Sequence, residues 1–69
     1  MKVTLKAARI NKGLTQIEAA KRIGVTVDTL ANYEKGKTYP DIPVLKKIEV
    51  VYGVSYNHLI FLPDDTLKA

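Results

Sequence analysis

Cysteine is absent from the 69 residues, which excludes a disulfide framework and a thiolate metal site and suits a reducing compartment. No apolar run approaches the roughly 20 residues of a membrane span. The opening Met1-Lys2-Val3-Thr4-Leu5-Lys6 lacks the apolar stretch of a secretory signal. Together these absences predict a soluble, cytoplasmic chain with no membrane partner. Histidine occurs once, as His58, so no second imidazole is available for a metal site, and there is no Gly-rich phosphate loop. Asp64-Asp65 reads as a solvated pair in a tail rather than a catalytic one. The sequence therefore predicts no enzyme, no cofactor and no metal. It also lacks internal repeats, low-complexity tracts and any segment that alternates convincingly as a strand.

What is present fits one small domain, with an apolar content of 46% and no room for a second core. A domain of this size buries only about 60% of its unfolded surface, so it needs local contacts and gains from pairing with a copy of itself. Charge is placed unevenly. Residues 1–37 carry eight Lys/Arg (Lys2, Lys6, Arg9, Lys12, Lys21, Arg22, Lys35, Lys37) against three acids (Glu18, Asp28, Glu34), a net of +5. The remainder carries Lys46, Lys47 and Lys68 against four acids, a net of −1. A positive half is either a polyanion-facing side or a merely soluble basic surface; charge by itself does not choose.

Helix punctuation divides the chain into about five short helices, an all-α bundle. Thr4 caps a first helix carrying Leu5, Ala8 and Lys12, stopped by Gly13. Thr15 and Glu18 form a capping box for helix two, with Ile17, Ala20 and Ile23 as its inward stripe and Gly24 past its end. Thr26 caps helix three, whose inward residues are Leu30 and Tyr33, and Gly36 and Pro40 close that segment. Asp41 caps helix four, where Pro43 is tolerated because first-turn amides have no helical partner. Val44, Leu45, Ile48, Val51 and Tyr52 make its apolar stripe, ended by Gly53. Ser55 caps an expected short fifth helix holding Leu59 and Ile60. Residues 1–62 form the domain and 63–69 a C-terminal tail.

Two short amphipathic helices joined at Ile23-Gly24-Val25 have the sequence form of a helix-turn-helix, whose second helix is built to lie in the DNA major groove. Gln16, Ala20, Gly24, Val25, Leu30, Tyr33-Glu34, Gly36 and Pro40 fall as in the Cro/C1-type (XRE-like) helix-turn-helix domains of phage repressors and bacterial regulators. The chain resembles that family over residues 4–62. No single position is specific; the joint spacing is. Physical reasons accompany it, since Ala20 sits where helices two and three cross closely and Gly24 permits a positive φ.

The resemblance implies a sequence-specific double-stranded DNA-binding regulator, of the Cro/C1-like repressor kind. It implies a phosphate contact from Gln16 at a helix N-terminus and base reading by the start of helix three, at Val27, Asp28, Ala31 and Asn32. It also implies an ion pair between Arg9 of helix one and Glu34 ending helix three, a planar guanidinium suiting a partly buried carboxylate. Asn32 is the sharpest candidate reader, because its amide matches adenine N6 and N7. Val27 either touches a thymine methyl or packs at the helix start. Asp28 departs from the residues common at its position in the family; it either accepts from cytosine N4 or stabilises the helix N-terminus. Thr26 caps the helix and can approach a phosphate, while Lys35, Lys37 and Thr38 are placed to follow the backbone, fixing register without reading sequence.

An operator read by one short helix offers too few base edges, so a homodimer, at least on DNA, is expected. Its source would be the apolar segment Ile60-Phe61-Leu62 with Leu67. The same segment supports the rival expectation of a protein partner, with the domain acting as an antitoxin or antirepressor, because fold alone does not fix function.

Overall fold

The structure, a computed structural model, describes residues 2–61. The expected tail 63–69, and with it Leu62 and Leu67, lies outside the described residues. Four α-helices account for most of the chain: α1 (Leu5–Asn11), α2 (Gln16–Ile23), α3 (Val27–Lys35) and α4 (Ile42–Tyr52). Each is opened by a side chain that satisfies a first-turn amide which has no intrahelical partner. Thr4 accepts from Ala7, Thr26 from Thr29 and Asp41 from Val44. At α2 the full capping box forms: Thr15 Oγ1 accepts from the Glu18 amide at 3.1 Å, and Glu18 Oε1 accepts from the Thr15 amide at 3.0 Å. The Thr15 backbone amide first, then the Thr15 hydroxyl, with Arg22 adding attraction, hold the Glu18 carboxyl below its ordinary value.

The fifth helix expected after Ser55 does not form. A single 3-10 turn spans Tyr56–His58 and leads into a two-residue strand, β2 (Leu59–Ile60). This strand pairs in parallel with β1 (Val3–Thr4), Val3 opposite Leu59 and Thr4 opposite Ile60. The expectation that no strand is present is thereby corrected as well. The physical reason is local. Ser, Tyr, Asn and His are all middling or poor helix formers, and a nucleus this short is costly to start. Glu49 Oε2 accepts from the Tyr56 amide at 2.7 Å, satisfying that donor outside a helix. Extended backbone then sends Leu59 inward, where it is buried, and Ile60 outward.

One core unites the elements. Leu5 and Ala8 of α1, Ala19, Ala20 and Ile23 of α2, Leu30 and Tyr33 of α3, and Ile48 and Tyr52 of α4 are buried together with Leu14 and Leu59. Ile17 is not among them: it is 67% exposed, so the inward stripe expected for α2 is corrected to Ala19, Ala20 and Ile23. At 100° per residue, position 17 falls beside 20 and 24 on one edge of the stripe, whereas 16, 19, 20 and 23 centre it. Val44 and Val51 pack against the core from α4. Among the described residues, no helix is long and apolar enough to cross a membrane.

Candidate nucleic-acid interface

The turn between α2 and α3 occupies three residues, Gly24, Val25 and Thr26. Gly24 ends α2 with φ 91° and donates its amide to Ala20, a backbone conformation that a side chain would strain. Val25 then donates to the same carbonyl at 3.0 Å, and Thr26 begins α3. The shortness of this turn and the smallness of the alanines at 19 and 20, both buried, bring α3 across α2 at close range.

The far end of α3 is fastened by a polar node. Arg9 Nε lies 2.7 Å from Glu34 Oε2, with the two side chains only 9% and 5% exposed. A second guanidinium nitrogen reaches Glu34 Oε1 at 3.4 Å, and Nη1 donates to the Leu14 carbonyl at 2.9 Å. Gln16 Nε2 donates to Glu34 Oε1 at 3.0 Å. One carboxylate thus gathers α1, the start of α2 and the end of α3. Buried charge is costly unless paired and hydrogen-bonded, and here the ion pair is backed by bonds from all three guanidinium nitrogens. The role of Gln16 in it escaped the sequence reading, which had no signal for a bond across eighteen positions. A primary amide has two N–H donors and a carbonyl, so binding Glu34 leaves Gln16 capacity for another partner.

Beside the node lies an open cleft lined by Lys6, Arg9, Thr15, Gln16, Ile17 and Val27. It joins the N-terminal ends of α2 and α3, where unpaired amides and the helix dipoles favour an anion. Lys6 and Ile17 were not singled out from sequence. Lys6 had only its charge to mark it, and Ile17 had been assigned to the core.

On α3, Val27 and Asp28 are exposed and Ala31 and Asn32 half-buried. Thr26 has its hydroxyl engaged twice, accepting from the Thr29 amide at 3.1 Å and donating to Thr29 Oγ1 at 2.8 Å. Thr29 keeps its own hydroxyl proton to donate, a resource beside Thr26 that the sequence reading passed over. Lys35 ends α3, and Gly36 closes it with φ 80°. The Lys37 amide bonds back to the Asn32 carbonyl at 3.0 Å, which fixes where Lys37 and Thr38 leave the helix. Lys35, Lys37 and Thr38 are exposed, and among the described residues no carboxylate comes within ion-pair distance of either lysine. The structure thus brings the predicted readers and cations onto one helix and its exit. Gln16 stands across the cleft from Val27.

A short glycine turn, a crossing helix with an open N-terminal face and flanking cations define the class of a helix-turn-helix protein. The helix-turn-helix family model matches residues 5–59. The HTH-type transcriptional regulator ImmR of Bacillus subtilis is 39% identical over 56 residues, covering 81% of this chain and 44% of ImmR. An uncharacterized HTH-type transcriptional regulator of Archaeoglobus fulgidus is 33% identical over 67 residues, covering 97% and 96%. The cryptic phage CTXphi transcriptional repressor RstR of Vibrio cholerae is 34% identical over 56 residues, covering 81% and 50%. The chain therefore spans half or less of ImmR and RstR and nearly all of the Archaeoglobus protein. No solved structure matches it. The chain belongs to the helix-turn-helix family; it is a DNA-binding regulator of transcription.

Proposed function

We propose that this chain is a Cro/C1-type repressor that occupies a near-palindromic operator as a pair of copies in the cytoplasm. The observation that carries this reading is the open N-terminal face of α3 beside Lys6, with the helix's other end held by the Arg9–Glu34 node and followed by Lys35 and Lys37, which meet no carboxylate among the described residues. In this reading Val27, Asp28, Ala31 and Asn32 meet base edges. Gln16, Thr26, Lys35, Lys37 and Thr38 take phosphates, with Lys6 and Thr29 adding donors. An Asn32 amide paired with adenine discriminates by about 1–3 kcal/mol, and a handful of such contacts is too little against a genome of competing sites. Two copies double the sequence read and set half-sites about 34 Å apart. Self-association is supported by a contiguous apolar surface of Tyr39, Leu45, Tyr56 and Phe61, where the Tyr39 and Phe61 rings meet edge-on at 6.3 Å.

Selection of bound sites from random duplex DNA tests the reading. Recovered sites should show dyad symmetry, and log affinity should fall by about 0.9 per phosphate neutralised for each unit of log salt. Asymmetric sites with one chain bound per operator would overturn the paired model. An affinity unchanged between low and physiological salt would overturn the phosphate contacts.

A further inference from the structure

A second cationic surface lies apart from the DNA-facing cleft. Arg22, in the last turn of α2, and Lys46 and Lys47 of α4 line a shallow groove with Val50 and Val51. None of these residues lines the cleft that holds Gln16 and Val27. Val50 is 82% exposed, an apolar side chain in the midst of three cations.

The carboxylates nearest in sequence are hydrogen-bonded elsewhere, and of the two only Glu18 adds attraction, to Arg22 alone. Glu18, one turn before Arg22, is held by the Thr15 capping box. Glu49 is turned onto the Tyr56 amide at 2.7 Å. Among the described residues, no carboxylate lies within ion-pair distance of Arg22, Lys46 or Lys47. Part of this charge has a structural use: Lys47 Nζ lies over Gly24, 3.6 Å from where a Cβ would stand. There it and Arg22 offset the negative end of the α2 dipole. That use does not reach Lys46 or Val50.

We propose that this groove docks an acidic protein segment carrying an apolar side chain, Val50 taking the apolar group and Lys46 with its neighbours the carboxylates. A nucleic acid backbone would use the cations and leave Val50 uncovered. A second copy is disfavoured because a two-fold interface sets the same patch against itself, and cations would face cations. The complementary partner is anionic with an apolar anchor. A regulator carrying such a groove can hold its operator and an acidic partner at once.

The test uses the full chain labelled with nitrogen-15, titrated with a short synthetic peptide of glutamates interrupted by leucines. An all-glutamate peptide of equal length and a short DNA duplex serve as competitors. Amide shifts should centre on Arg22 and on residues 46–51, and the leucine peptide should bind about tenfold tighter than the all-glutamate one, as burial of one valine-sized contact implies. Val50→Ser should abolish that difference while leaving the all-glutamate affinity unchanged, and Lys46→Glu should weaken both. Both positions are exposed, so the amide spectrum verifies the fold of each variant. Equal affinity for the two peptides, no effect of Val50→Ser, or no shift at this groove would overturn the proposal. Displacement of the leucine peptide by the duplex, with shifts at the same residues, would reassign the groove to nucleic acid.

Discussion

Helices α2 and α3 are opened alike, each by a threonine, and closed alike, each by a left-handed glycine, yet their sides differ. The first buries Ala19, Ala20 and Ile23 and sends its leading side chain, Gln16, into a hydrogen bond with Glu34. The second buries only Leu30 and Tyr33 and leaves Val27 and Asp28 in the open at its start. In the proposed function one helix is a support and the other a reader. Glu34 links them from the far end of α3, so orientation is fixed there while the start of α3 stays open. A site is more exact when its residues are held by rigid elements and satisfied hydrogen bonds.

The largest effect should come from cutting that link. Glu34→Ala leaves the Arg9 guanidinium, 9% exposed, without its carboxylate, and should lower stability by about 3 kcal/mol. Chemical denaturation measures this, and a cycle with Arg9→Ala measures the coupling. Additive losses in the double variant would show that the pair does not hold the helices together. If the division between support and reader is right, Glu34→Ala also lowers affinity for every DNA sequence, because all readers shift together.

Asn32→Ala should act on the reader alone. Affinity for the selected operator should fall by about 1–3 kcal/mol, with relaxed preference at one base pair, and non-specific binding should barely change. Competition binding across single-base operator variants supplies the measurement. A uniform loss over all sequences would place Asn32 with the phosphate contacts instead. Lys37→Ala is the converse case: a uniform loss and a shallower salt slope.

Capping sharpens the same contrast more gently. Thr15→Ala and Thr26→Ala each remove a side-chain acceptor at a helix start, at a cost of about 1 kcal/mol, readable as a shift in thermal midpoint. Thr26→Ala should in addition weaken DNA binding, since Thr26 and Thr29 share a hydrogen bond at the open end of α3. Equal DNA affinity for both variants would remove Thr26 from the interface.

Much of this architecture is legible in the sequence because punctuation residues act locally. Thr4, Thr15, Thr26 and Asp41 each cap the helix expected of them, and Gly24 and Gly36 end the two central helices. The segment after Ser55 misleads because its cap is real but its helix is outcompeted. Pairing of Val3 with Leu59 across the chain is a tertiary preference with no local mark. Ile17 misleads for a related reason. An apolar residue at helical spacing reads as core, and only the packing shows that Ala19 took the central position. Within the site, residue identities and order along α3 are readable, whereas the Gln16–Glu34 bond and the cleft with Lys6 depend on how helices cross.

At neutral pH, Tyr52→Phe should have the smallest effect, and it tests how far the node reaches into α4. The Tyr52 ring is buried and its hydroxyl finds no hydrogen-bond partner among the described residues. Burial pushes its pKa up to about 12, the Glu34 carboxylate adding to the rise and Arg9 opposing it. The folded state therefore prefers the neutral phenol, while the unfolded chain ionises near the ordinary value of 10.0. Stability from this preference is complete below that value and is lost as pH rises toward about 12. Phenylalanine keeps the ring and removes an unsatisfied polar atom, so stability near neutrality should stay within about 1 kcal/mol of the parent. Above pH 10 the variant should lose stability less steeply than the parent. A smaller alkaline loss should remain, because Tyr33 is also raised, first by burial and then by Asp41. Urea midpoints compared across the alkaline range measure the difference. Identical alkaline slopes in parent and variant would mean that Tyr52 ionises without unfolding the domain, and that α4 is not closed over the node as tightly as its burial indicates.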